Sequence, residues 1–174
     1  MIKKKVCLIG AYAVGKTSLV RQFVSGMFSD NYLSTVGVKI DQRTVVANGQ
    51  EVRLMVWDLA GSDEFQSVRK SYLQGAAGIL YVADGTRAET LDTIRTEREE
   101  VMARFPGVPS LLLINKHDLV NEWEVEAKDL ARFREEGIEV MSTSARTGEQ
   151  VAEAFDLLAR RMCGGSENET QRLV

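Results

Sequence analysis

Gly10, Gly15, Lys16 and Thr17 stand at the spacing G-x-x-x-x-G-K-[ST], directly after an apolar run at residues 6–9. Glycines there let a tight loop turn its backbone N–H groups inward, and a helix starting at once would aim its positive N-terminal end at the same spot, so the segment suits phosphate. The backbone of Ala13, Val14, Gly15 and Ser18 would cradle the phosphates, Lys16 would reach the outer ones, and the Thr17 hydroxyl would ligate Mg²⁺. Four fixed positions match by chance on the order of 0.01 times in a chain this long. The same loop serves ATPases, small-molecule kinases and GTPases, so the base has to be read elsewhere.

Asn115-Lys116-His117-Asp118 supplies that reading. It follows the apolar run 111–114, at the carboxyl end of an expected strand, where open α/β sheets place their ligands. A carboxylate such as Asp118 accepts from the two N–H groups on guanine's edge, which adenine lacks, while Asn115 and Lys116 would hold the loops beneath the base. Ser144-Ala145-Arg146 follows another apolar strand, and its backbone could contact the guanine carbonyl. Between these motifs lies Trp57-Asp58-Leu59-Ala60-Gly61. Asp58 is placed to hold Mg²⁺ through water, and the Gly61 N–H to meet a terminal phosphate. These motifs disfavour a P-loop kinase for a small metabolite.

Four motifs in this order, spread over the whole chain, resemble the Ras superfamily of small GTPases, and the details look most like its Rab branch. Ser34-Thr35-Val36-Gly37-Val38 is similar to the Rab first-switch signature, and Ser71-Tyr72 followed by Gly75-Ala76 to the second. The resemblance implies that Thr35 closes onto Mg²⁺ and the γ-phosphate, that Phe28 packs against guanine, and that Ile40, Trp57 and Tyr72 meet effectors and regulators. The plain alternative for those three is packing on a sheet surface.

Two departures fall at the hydrolysis centre. The family usually has Gln after Asp-x-Ala-Gly, where it orients the attacking water; here Ser62 stands there and is too short for that role. Tyr12 replaces a residue that is often small, and its ring would occupy space that an activating protein's arginine needs. Lys16, Thr35, Gly61 and Ser62 are therefore the catalytic candidates of a slow GTP/GDP switch. The alternative is a binding module that holds GTP with negligible turnover.

Positioning these loops requires a doubly covered sheet. Apolar runs at 6–9, 79–83, 111–114 and 138–141 read as buried parallel strands. Leu19, Val20, Phe23 and Val24 share one helical face, as do Val151, Ala154, Phe155, Leu158 and Met162. Thr147 and Gln150 are expected to form a capping box for that last helix, and Gly164 or Gly165 to end it. Asn48-Gly49 between runs 38–46 and 51–57 is a strong hairpin signal and makes one edge antiparallel. The expected fold is a P-loop NTPase α/β three-layer sandwich: a mostly parallel six-stranded sheet with one antiparallel edge strand and helices on both faces. Thr35 and Asp58 would then flank one hairpin, so a single γ-phosphate could draw both loops together and its loss release them.

Composition sets the remaining bounds. With 174 residues, 44% of them hydrophobic, and only 2 prolines, one GTPase domain over residues 1–165 and a polar tail over 166–174 are expected, as a monomer. A net charge of −3 argues against nucleic-acid or anionic-lipid binding. Cys7 reads as core and Cys163 as unpaired, which fits a reducing compartment. The lone His117 has no second ligand at metal spacing and reads as solvated, and Arg95, Glu97, Arg98, Glu99 and Glu100 as a charged helix face. Rab-like proteins of eukaryotes normally end in prenylated cysteines, whereas the last residues of this sequence are Gln171-Arg172-Leu173-Val174, with no C-a-a-X box, so for a complete chain no membrane anchor is expected. A cytoplasmic location is the expectation.

Overall fold

A computed structural model of the chain describes residues 1–29, 37–59 and 70–164. Strand β1 (Ile2–Ile9) leads into helix α1 (Lys16–Ser25), and the hairpin β2 (Val38–Ala47) and β3 (Gln50–Leu59) follows. Then come β4 (Gly78–Asp84), α2 (Thr90–Arg104), β5 (Ser110–Asn115), α3 (Ala127–Glu135), β6 (Glu139–Ser142) and α4 (Val151–Met162). The six strands form one sheet in the order β2-β3-β1-β4-β5-β6, parallel everywhere except between β2 and β3. The expected fold class is the observed one.

Alternation along each strand explains the three layers. Val6 and Leu8 face a core shared with α1 and α4, whereas Cys7 and Ile9 face a second core under α2 and α3. β4 is buried along its whole length, as a central parallel strand covered on both faces must be. In the first core Phe23 of α1 stacks on Phe155 of α4, ring centroids 3.9 Å apart and planes 3° from parallel. Phe155→Ala is expected to lower folding stability by about 3–5 kcal/mol, measured by urea unfolding, because α1 cannot collapse into the gap without moving the loop at its start.

The hairpin closes at Asn48-Gly49 with both residues at positive φ (51° and 76°), the turn that matches the right-handed strand twist. β1 begins at Ile2 rather than Val6 because its register with β3 runs from Ile2↔Val52 to Leu8↔Asp58, and the exposed Lys3 and half-exposed Lys4 and Lys5 ride along as strand residues. The expected capping box on α4 does not form. Gln150 is the N-cap itself, left-handed with φ 55°, and makes no side-chain cap, while the Thr147 hydroxyl accepts from the Glu149 N–H at 3.3 Å. The preceding loop is instead tied to Ser144, whose carbonyl accepts from Gly148 N and whose N–H donates to Glu149 O. Gly164, at φ 79°, follows the end of α4 as expected. Arg98 leaves the expected charged face: it is buried and pairs with Glu136 after α3. No described helix is long and apolar enough to cross a membrane.

Candidate functional site

Because β3 and β4 lie on opposite sides of β1, a crevice opens at the carboxyl ends of β1 and β4, the place where open α/β sheets bind ligands. The loop 10–15 crosses that crevice. Gly10 allows it, since a Cβ there would sit 2.3 Å from the Val82 carbonyl oxygen of the neighbouring strand. Ala13 and Gly15 take positive φ (60° and 101°), which folds the loop back on itself before α1 starts. Lys16 is buried and its ammonium donates to the carbonyls of Gly10 at 2.9 Å and Ala11 at 3.1 Å. The loop thus closes around its own lysine.

A cleft of about 300 Å³ opens beside it. Ala13, Gly15, Ser18 and Phe28 form one side, and Asn115, Lys116, Asp118, Ala145 and Arg146 the other. Residues the sequence separates by more than a hundred positions therefore meet at one cavity. Ser29 and Leu119 complete the lining, and no motif pointed to them. Val14 lies in the core beneath, fully buried, and contributes its carbonyl rather than its side chain.

Asn115 carries that architecture. Its amide nitrogen donates to the Val14 carbonyl at 3.0 Å, and its amide oxygen accepts from the Thr143 hydroxyl at 3.1 Å and the Ala145 N–H at 3.3 Å. One buried side chain joins the phosphate loop to both loops on the far side of the cleft. Asp118 accepts a hydrogen bond from the Ser144 hydroxyl at 2.7 Å, so the third loop orients the carboxylate that faces the cavity. Lys116 sits at φ 70°, and its ammonium pairs with Asp84 at 2.8 Å. Asp84 is fully buried at the end of β4; burial alone would push its carboxyl up, but donors from Lys116, Thr86 and Arg87 outweigh it and hold it below the usual range.

Asp58, at the end of β3, accepts from the Thr17 hydroxyl at 2.5 Å through one oxygen. Its other oxygen is buried without a hydrogen-bond partner among the described residues. Burial pushes this carboxyl above its ordinary value, against the pull of Thr17, Lys16 and Lys39. A hydroxyl beside a desolvated carboxylate with an orphaned oxygen is a donor set that fits a hard divalent cation such as Mg²⁺. Thr35, Gly61 and Ser62 lie outside the described residues. Tyr12 is 52% exposed at the rim of the loop.

On the outer edge Ile40 pairs in register with Trp57 across the hairpin, and the Trp57 and Tyr72 rings lie 5.9 Å apart. Ile40 is 48% exposed, whereas Trp57 and Tyr72 are half-buried and pack against the second core, with the Lys5 ammonium 3.7 Å above the Trp57 ring. His117 is not simply solvated: its ring meets the Glu149 carboxylate at 3.0 Å and the edge of Trp123. Sequence reasoning missed Asp84, Arg87, Thr143 and Trp123 around the cleft. Only the Asp-x-Thr turn at the end of β4 carried a signal for any of them.

A phosphate loop between the central strand and the first helix of this sheet defines a P-loop NTPase. Residues 5–164 match the Ras family. Over 158 residues the chain is 37% identical to Ras-related protein Rab-13 of Canis lupus familiaris, covering 90% of this chain and 78% of that protein. It is 39% identical over 160 residues to Ras-related protein Rab-4B of Homo sapiens, covering 90% and 74%. The chain belongs to the Ras family and is a Rab-like small GTPase.

Proposed function

We propose that this chain is a GTP/GDP switch, formed by a GTPase domain over residues 1–165, whose hydrolysis is slow. The observation that carries the slow step is Ser62, which stands where the family places the water-orienting Gln. Guanine binds over Asn115, Lys116 and Asp118, with Phe28 and the backbone of Ser144, Ala145 and Arg146 around it. The phosphates rest on the backbone of residues 13–18, with Lys16 against the outer ones. Thr17, Thr35 and, through water, Asp58 would hold Mg²⁺, a role that suits the orphaned Asp58 oxygen. A bound Mg²⁺ would neutralise charge on the phosphate oxygens.

Water attacks the γ-phosphate in line, and this chemistry needs little from the protein beyond placement and charge. Lys16 and the Gly61 N–H stabilise charge on the transferring group. Serine at 62 has neither the length nor the amide to aim the water, so turnover falls to or below the roughly 3–5 × 10⁻⁴ s⁻¹ of a relative with its Gln intact. Ile40, Trp57 and Tyr72 present the surface that effectors and regulators would read, Ile40 being the most exposed of the three.

The test is single-turnover hydrolysis of preloaded GTP with Mg²⁺, followed over hours for the wild type and Ser62→Gln. Restoring a group that positions the water is expected to raise the rate by about 10–100-fold. Wild-type turnover well above the stated range removes the argument from Ser62. No conversion in either form makes the protein a GTP-holding scaffold instead, with Tyr12 the next residue to change.

A further inference from the structure

Arg87 belongs to none of the motifs, yet its guanidinium spans the two sides of the crevice. Its Nε donates to Asp84 at 3.1 Å, and one terminal nitrogen donates to the Tyr12 carbonyl at 2.8 Å. The turn that carries it is rigid. Thr86 donates to Asp84 through both its N–H at 2.9 Å and its hydroxyl at 2.7 Å, Arg87 N returns to the Asp84 carbonyl, and the Trp123 ring lies so close over Gly85 that a Cβ would come within 2.1 Å of it.

Gripping the Tyr12 carbonyl has a geometric consequence. In a trans peptide the C=O and the next N–H point in opposite directions, and none of the described peptide bonds is cis. Drawing the Tyr12 oxygen toward Arg87 therefore turns the Ala13 N–H the other way. Ala13 lines the cleft and holds φ 60°, a conformation that a residue with a Cβ keeps only when its surroundings enforce it. The same Asp84 oxygen that holds Arg87 also holds Lys116 at 2.8 Å.

We propose that Arg87 is a positioning residue for nucleotide phosphate: clamped on Asp84, it fixes the Tyr12–Ala13 peptide so that the Ala13 N–H is preset toward the phosphates, and it joins the phosphate loop, through one buried carboxylate, to Lys116 of the loop beneath the base. This rests on the nucleotide reading above. Arg suits the task because its planar fork serves two acceptors at once, whereas a Lys ammonium in the same place reaches one or the other.

The experiment compares the full chain with Arg87→Ala and Arg87→Lys, reading release of fluorescently labelled GDP and, by competition, the affinity for guanosine, which has the base and sugar but no phosphate. Losing a hydrogen bond from a charged donor is expected to speed GDP release by about tenfold or more in Arg87→Ala and by less in Arg87→Lys, with guanosine affinity within about twofold of wild type. Unchanged GDP release in the folded variants overturns the proposal. So does an equal loss of guanosine and GDP affinity, which would make Arg87 a general support of the fold. A wild-type chain that fails to retain labelled GDP overturns the nucleotide reading, and this inference with it. Should Arg87→Ala not fold, Arg87→Lys decides by the same comparison, since it keeps the charge beside Asp84.

Discussion

Asp118→Asn is expected to lower GTP affinity by about 10²–10⁴, because one of guanine's two hydrogen bonds to the carboxylate, each worth about 1.5–3 kcal/mol, is lost and the new amide N–H opposes a guanine N–H at a second cost of about that size. The cause is chemical rather than structural. Asp118 is half-buried at the cleft, and the Ser144 hydroxyl that it engages at 2.7 Å can still donate to an Asn oxygen. Folding stability without nucleotide should therefore change by less than about 1 kcal/mol. The variant should also prefer a triphosphate of xanthine to that of guanine, because xanthine carries a carbonyl where guanine has its amine and so accepts from the new amide. Titrating both nucleotides against wild type and variant checks this; equal losses for the two bases would remove Asp118 from the base-reading role.

Asn115→Ala is expected to act in the opposite manner, lowering stability even in the absence of nucleotide. Three hydrogen bonds disappear at once, to Val14, Thr143 and Ala145, in a site where Asn115 is 1% exposed. At about 1 kcal/mol for each bond, with further cost for partners left unpaired, the loss comes to about 3 kcal/mol or more. Space is tight as well: a Cβ on Gly15 would stand 2.3 Å from the Asn115 amide nitrogen, so loop and side chain are fitted to one another. Urea unfolding in excess chelator reads the stability loss directly. Stability within about 0.5 kcal/mol of wild type would mean that the three loops do not depend on this link.

These two substitutions separate residues that the sequence places in one tetrapeptide. In the proposed function Asp118 would work on the ligand, whereas Asn115 holds together the walls of the cleft. A motif read as a string gives both the same standing. Burial, 1% for Asn115 against half-burial for Asp118, and the direction of their hydrogen bonds tell them apart.

Much of the fold was legible from residue pattern. Buried parallel strands must be apolar on both faces, so β4 and β5 read as continuous runs, and Asn48-Gly49 announced the hairpin because few other residues take two successive positive φ values. The start of β1 was hidden: Lys3, Lys4 and Lys5 look like a solvated segment until β3 pairs with them. The capping box on α4 was misread because a tight loop closes just before the helix, Ser144 bonding Gly148 and Glu149 through its backbone, and this leaves Gln150 as the N-cap in a left-handed conformation. Arg98 was placed on a charged face for a similar reason, its Glu136 partner lying 38 positions away.

By itself the sequence carried the pattern on which the proposed chemistry rests: a phosphate-loop motif, an Asn-Lys-x-Asp motif ending in Asp118, a Thr17 hydroxyl and an Asp58 carboxylate suited to a divalent cation, and Ser62 where the family usually has glutamine. Those roles depend on residue type and short spacing, both of which are written in the chain. Only the tertiary structure decided what holds the parts in register. The Asn115 link, the Asp84 carboxylate shared by Lys116 and Arg87, and the grip of Arg87 on the Tyr12 carbonyl are contacts between distant segments. Their geometry exists only once the sheet brings the strand ends together, because hydrogen bonds and ion pairs act over a few ångströms of space and not along the chain.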